Sequence, residues 1–381
     1  MNPLSQLSRC GQSYWLDNLA RHKIKSGELK RRVDEEDLRG ITSNPAIFNK
    51  AIAGNDEYDA QIRELARKGS NVHEIYEALV ITDVQDACDI LRPVYDRTDG
   101  SDGFVSLEVS PHLAHDTEGT MREVRHLFGS VNRRNVLIKI PGTVAGVPAI
   151  EQMLYEGINV NVTLLFSIQA YEAVAKAYIR AMERRENEGK PLKDVASVAS
   201  FFLSRIDVLV DQLLEERTNL DADQKNKPKP EDLLGKAAIA RAKLAYRSFK
   251  QLFGGKKWKT LEKKGARVQR LLWASTSTKN PRYRDVYYVE PLIGVHTVNT
   301  MPDETAEAFA RHGVVRENTI EQDLDASREA LAGLEKLGID PDLVEKQLIA
   351  EGVQKFIDPF DQLIASLSEK QSQFMAEAAG R

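Results

Sequence analysis

The sequence predicts an α/β fold: a single (β/α)8 TIM barrel, one domain over residues 1–381, with additional helices and a C-terminal helical segment. Three observations lead there. Eight short apolar or β-branched runs recur along the chain, stretches of helical period separate them, and polar residues sit at the ends of the runs, where a parallel barrel opens onto its active site. Alternating strands and helices imply parallel pairing through right-handed crossovers. Eight such units favour a closed barrel over an open doubly wound sheet. The length does not require a second domain, since barrels with insertions often exceed about 250 residues.

The first run is SYWLDNL (13–19), ending in Asp17, and the second is LRGITSN (38–44), ending in Thr42, Ser43 and Asn44. FVSLEV (104–109) ends in Glu108 and VLIKIP (136–141) carries Lys139. INVNVTLL (158–165) brings Thr163, VASVASFF (195–202) Ser200 and RLLWAS (270–275) Ser275, with VYYVEPLI (286–293) as the eighth run. A solvated strand end explains any one of these polar residues; seven at one mouth call for another reason. Between the runs lie helices such as 167–189, where Ala170, Ala173, Val174 and Tyr178 share a face and Gly189 supplies a stop.

Two stretches exceed a minimal barrel, in a helical excursion over about 213–265. DADQKNKPKPEDLLGK (221–236), charged and holding Pro228 and Pro230, reads as a solvated excursion. GGKKWKTLEKKG (254–265), with Trp258 its only aromatic residue, reads as a solvated surface loop and not a nucleic-acid contact. Residues 303–381 are helical in pattern, and the stripe Phe360, Leu363, Ile364 and Leu367 is expected to pack on the barrel or on a neighbouring subunit. A homo-oligomer is therefore left open.

Composition narrows the function classes. A net charge of −4 from 53 basic and 57 acidic residues leaves no broad positive surface for nucleic acid or membrane. No run of 18 apolar residues and no signal-like N-terminus is present. Cys10 and Cys88 are not in a C-x-x-C pair, which speaks against a disulfide scaffold or zinc ribbon and for a reducing, cytoplasmic setting. His112 and His115 lack a third partner and read as loop or capping residues, not metal ligands. GTVAGV (142–147) lacks the ending of a phosphate-binding loop and reads as a tight turn. No cofactor is called for.

Lys139 is the most informative residue. It shares a strand face with Leu137 and Pro141, so it should point into the barrel. Burying an ammonium costs several kcal/mol unless it is paired, and the usual escape is a depressed pKa. A neutral amine can attack a ketone, and the resulting iminium is an electron sink for cleaving the adjacent carbon–carbon bond. A buried ion pair with Glu108 or Asp17 is the alternative. Aldol chemistry also needs a base and a proton relay, for which Asp17 and Glu108 are the carboxylates at the rim.

Taken together, WLDNL, GITSNPAIF (40–48), VSLEVSP, VLIKIPGT, EGINVNVTLLFS (156–167), SFFLSRID (200–207) and WASTSTKNP (273–281) resemble the transaldolases. The resemblance implies that Lys139 forms a Schiff base with a ketose phosphate and that Asp17 acts on the C4 hydroxyl. Glu108 and Thr163 would hold a proton-relaying water. Asn44, Asn161 and Ser200 would bind the retained dihydroxyacetone unit, with Phe202 as a wall. Arg205 would hold phosphate, assisted by Ser275 and by Lys279, which stands where the family's more familiar members have a second arginine. The implied reaction passes the three-carbon unit from sedoheptulose 7-phosphate or fructose 6-phosphate to glyceraldehyde 3-phosphate or erythrose 4-phosphate, in the pentose phosphate pathway. Fructose 6-phosphate aldolases share the barrel and the lysine but carry glutamine and tyrosine at the positions of Glu108 and Phe202. A non-catalytic sugar-phosphate-binding relative is the third reading.

Overall fold

A computed structural model describes residues 2–218 and 228–379. Eight parallel strands close into a barrel in sequence order: β1 (Gln12–Leu16), β2 (Gly40–Ile41), β3 (Phe104–Glu108), β4 (Val136–Pro141), β5 (Val160–Leu165), β6 (Ser197–Phe202), β7 (Arg270–Ala274) and β8 (Thr297–Met301). Pairing of β1 with β8 closes the ring, from Gln12 opposite Thr297 to Leu16 opposite Met301. Alternate residues face the helical layer and the interior. Gly40 is required by what fills that interior, because a Cβ there would lie 2.4 Å from the Trp15 ring. Below, Asp102 accepts hydrogen bonds from Ser13 Oγ (2.6 Å), Trp15 Nε1 (3.1 Å) and Arg270 Nη1 (3.0 Å), a polar seal at the N-terminal end.

Three expectations are corrected. The run VYYVEPLI (286–293) is no strand but turns followed by a 3-10 helix, Glu290–Leu292, and the eighth strand is Thr297–Met301. Pro291 has no amide to give to a ladder. The run is apolar because Val286, Tyr288, Val289, Leu292 and Ile293 are buried, packed outside the ring where Trp273 Nε1 donates to the Leu292 carbonyl at 3.0 Å. GGKKWKTLEKKG is not a loop: Lys256–Lys263 is a helix that buries Trp258 and Leu261. Its lysines face solvent and acids, as in Lys257 with Glu183 (2.6 Å) and Lys264 with Glu186.

Of the stretch 221–236, residues 221–227 lie outside the described residues. The rest is anchored, not solvated: Pro230 and Leu233 are buried. The Gly235 and Ala238 amides donate to Asp211 Oδ1 and Asp207 Oδ1, each at 2.8 Å.

After β8 come the helices Asp303–His312, Leu324–Lys336 and Pro341–Ala379. The last contains Pro359. Its early part contacts β5 and the helix Ser204–Thr218; its later part packs on the helices Pro45–Ile52, Asp59–Arg67 and Val72–Arg97 of the same chain. Phe360, Leu363 and Leu367 are buried there, with Phe360 edge-on to Tyr76 at 5.3 Å. Among the described residues no helix is long and apolar enough to cross a membrane.

Candidate active site

The register places Glu108 opposite Lys139, and Lys139 opposite Asn161. Lys139 is 4 % exposed. Its Nζ donates to the Ser43 carbonyl at 2.9 Å and lies 3.2 Å from Glu108 Oε2. The buried ion pair with Glu108 weighed from the sequence is therefore present. It does not remove the lysine from chemistry, because the pair stands at the wall of a cavity of about 600 Å³ at the C-terminal mouth, which Lys139 itself lines. Burial pushes the Glu108 carboxyl up, the Lys139 ammonium pulls it down, and the result lies above the ordinary range. A carboxyl raised in this way holds a proton more readily than a solvated one, as a proton-relaying group must. Glu108 Oε1 and the nearby Thr163 Oγ1 are buried without a hydrogen-bond partner.

Asp17 follows β1, its amide donating to the Met301 carbonyl at 2.8 Å. Its carboxyl is raised by burial, against the pull of Lys139, the Thr42 hydroxyl and Arg205. Thr42 Oγ1 donates to Asp17 Oδ1 at 2.7 Å and lies 2.6 Å from Thr300 Oγ1. Two carboxyls raised by burial thus flank one amine.

Arg205 begins the helix Ser204–Thr218, directly after β6. Its guanidinium carbon lies 5.1 Å from the Phe202 ring, and Nη1 is buried without a partner. Burial lowers its pKa while Asp17 and Glu108 raise it, though a guanidinium stays charged at any working pH. Ser275, at φ +55°, and Leu164 on β5, at φ +60°, hold strained backbone at the mouth. Ser275 Oγ meets Ser204 Oγ at 2.8 Å. Lys279 is exposed at the rim, donating to Ser277 Oγ at 2.7 Å.

Of the residues the sequence singled out, Asp17, Asn44, Lys139, Thr163, Ser200, Phe202, Arg205, Ser275 and Lys279 line this one cavity. Glu108 reaches it through Lys139. Asn161 lies beneath it, accepting from Ser200 Oγ at 2.7 Å and donating to Ser106 Oγ at 3.0 Å. Asn44 also caps the helix Pro45–Ile52, accepting from the Ile47 amide at 3.1 Å. Sequence reasoning missed the Ser43 carbonyl as partner of Lys139, and it missed Lys50, Glu351, Lys355 and Phe356 in the lining. The last three come from the C-terminal helix, whose apolar stripe signalled packing only. His112 Nε2 is occupied by Asp361 Oδ1 at 2.8 Å, and among the described residues no group of three or more His, Cys, Asp or Glu could hold a metal ion. Cys10 and Cys88 are free thiols.

The cavity can hold a small polar molecule beside a buried amine, with carboxyls on two sides and cations toward the rim. Residues 14–367 match the family described as transaldolase/fructose-6-phosphate aldolase. The chain is 50 % identical over 371 residues to a protein of Trichodesmium erythraeum named transaldolase, covering 97 % of each. It is 49 % identical over 372 residues to one of Nostoc punctiforme named transaldolase 2, again covering 97 % of each. A transaldolase of Frankia alni is 46 % identical over 369 residues, 97 % of both chains. The chain belongs to the transaldolase/fructose-6-phosphate aldolase family.

Proposed function

We propose that the protein is a transaldolase that carries a dihydroxyacetone unit from a ketose phosphate to an aldose phosphate as a Schiff base on Lys139. The observation that carries this is the buried Lys139 amine, 3.2 Å from Glu108, in one cavity with Asp17 and Arg205. Lys139 gives a proton to Glu108 and attacks the ketose carbonyl, and water leaves as the iminium forms. Asp17 then takes the C4 hydroxyl proton, the C3–C4 bond breaks, and its electron pair enters the iminium to leave an enamine. An acceptor aldehyde reverses these steps: the enamine carbon bonds to it, Asp17 returns a proton to the new alkoxide, and hydrolysis frees the ketose product.

Glu108 and Thr163 serve the water steps. The support for this is that Glu108 Oε1 and Thr163 Oγ1 are buried with no partner in the protein, an arrangement that costs free energy unless a ligand or water meets them. Asn44, Asn161 and Ser200 bind the three-carbon unit, Asn161 acting also through Ser200. Arg205 grips phosphate, with Lys279 adding charge without the fork geometry of a second arginine. The donors are sedoheptulose 7-phosphate or fructose 6-phosphate and the acceptors glyceraldehyde 3-phosphate or erythrose 4-phosphate, which sets the reaction in the pentose phosphate pathway of the cytoplasm.

Release of free dihydroxyacetone, the aldolase outcome, is the second reading. Glu108 and Phe202 favour transfer. The test is borohydride reduction with fructose 6-phosphate and peptide mapping, beside an assay for sedoheptulose 7-phosphate with erythrose 4-phosphate added. A three-carbon adduct on Lys139 with acceptor-dependent product is expected. An adduct with dihydroxyacetone accumulating would select the aldolase, and no adduct at any lysine would leave Lys139 a structural ion-pair partner.

A further inference from the structure

The C-terminal helix puts a phenylalanine into the cavity. Lys139 Nζ lies over the Phe356 ring at 5.7 Å from its centroid, and the Arg205 guanidinium carbon lies 5.6 Å from the same ring. Arg205 is thus held between Phe202 of β6 and Phe356 of the last helix. Phe356 is 4 % exposed. Gly352, one turn earlier on the same face, permits the approach. A Cβ there would meet Leu164 Cδ2 at 3.0 Å, close enough that the leucine would have to shift, and Arg205 Nη1 at 3.6 Å. The strained Leu164 at the end of β5 is the surface on which this glycine rests.

A nucleophilic enamine on Lys139 has two fates. Its carbon can bond to an aldehyde, with a proton passing to the aldehyde oxygen. Otherwise its carbon takes a proton, water adds to the iminium, the C–N bond breaks, and free dihydroxyacetone leaves the regenerated amine. Both routes later spend one water on hydrolysing an iminium, so the branch lies at the enamine carbon, where the second route needs a proton delivered by water. The Phe356 ring, 5.7 Å from Nζ, leaves no room on its side for a water to protonate that carbon, and the face of the ring also favours the iminium charge.

We propose that Phe356 is a positioning residue that shields the enamine carbon of the Lys139 adduct from protonation by water and so sets the ratio of transfer to release. The proposal rests on the Schiff-base reading of Lys139. A phenylalanine serving packing alone would alter melting temperature and total rate but not this ratio, which is counted per turnover and does not depend on the folded fraction.

The test supplies fructose 6-phosphate and erythrose 4-phosphate to the unsubstituted protein and to F356A and F356L, and measures dihydroxyacetone released per sedoheptulose 7-phosphate formed. In F356A the ratio is expected to rise about tenfold, and in F356L by less, as the bulky side chain restores the shield. A ratio in F356A within about threefold of the unsubstituted protein would overturn the role of Phe356. Should F356A not turn over, F356V, whose shorter side chain also opens that side of the adduct, is read against the same threshold. A borohydride adduct on Lys139 in the unsubstituted protein with an unchanged ratio removes only this inference; absence of the adduct removes the Schiff-base reading and this inference with it.

Discussion

Lys139 and Glu108 face each other in register across the β3–β4 ladder, with Nζ 3.2 Å from Oε2. Each is nearly sealed from solvent, so each depends on the other for its charge. Lys139→Ala is expected to abolish both turnover and the borohydride adduct. Glu108→Gln keeps the shape but cannot accept the ammonium proton, and kcat should fall by roughly a hundredfold. Rapid-quench measurement of adduct formation checks this, since the loss should appear in imine formation.

Asp17 should act one step later. In Asp17→Ala the imine is expected to form at a normal rate and to cleave roughly a hundred to a thousand times more slowly. Normal transfer rates in that variant would remove Asp17 from its role. Thr42 sets its poise, because the hydroxyl bond at 2.7 Å favours the ionised carboxylate. Thr42→Val loses that bond and raises the Asp17 pKa, so the acidic limb of the kcat/KM profile should move to higher pH.

Arg205 should matter for phosphate and not for the reacting carbons. Arg205→Ala is expected to raise KM for fructose 6-phosphate by roughly a hundredfold, with Arg205→Lys losing less because charge survives without the fork. KM for unphosphorylated fructose, measured in parallel, should scarcely change. An equal loss for both sugars would mean that the guanidinium acts on the carbonyl end.

Asp207 predicts a stability effect with a definite sign. It is buried, accepts from the Ala238 amide and from Tyr288 Oη (2.8 and 2.9 Å), and burial pushes its pKa from 3.8 to about 7. Between those values the folded chain binds more protons than the unfolded one, so stability falls as pH rises and the penalty is complete above about pH 7. The decline from pH 5 to pH 7 is about 2 kcal/mol from this group. Asp207→Asn should flatten it, as read from urea midpoints across that range; an unchanged slope would assign the proton elsewhere.

Strands β1 to β7 were legible because their apolar runs are what a ring buried by helices requires. The eighth was not. Thr297, Asn299 and Thr300 are fully or almost fully buried on β8, and they bond to backbone and to neighbouring strands, as in Thr297 Oγ1 to the Gly294 carbonyl at 2.6 Å and Thr300 Oγ1 against Thr42 Oγ1 at 2.6 Å. A strand with this composition gives no apolar signal, while the run just before it gives a false one. The site divides in the same way. Lys139, Asp17 and Glu108 stood out as charges in apolar surroundings, whereas Phe356 is an apolar residue in an apolar stripe, and only the path of its helix shows that it meets the lysine.

That path has a consequence for biosynthesis. A nascent chain that has emerged through Met301 holds all eight strands and already carries Asp17, Glu108, Lys139 and Arg205. Gly352 and Phe356 leave the ribosome only afterwards, and domains begin to fold as they emerge. Lys139, with its partners the Ser43 carbonyl and Glu108, is therefore made before the phenylalanine that comes to lie over it. The last helix is thus the final part of the cavity wall to be synthesised, bringing Glu351, Lys355 and Phe356 to a mouth whose other residues are already in the chain.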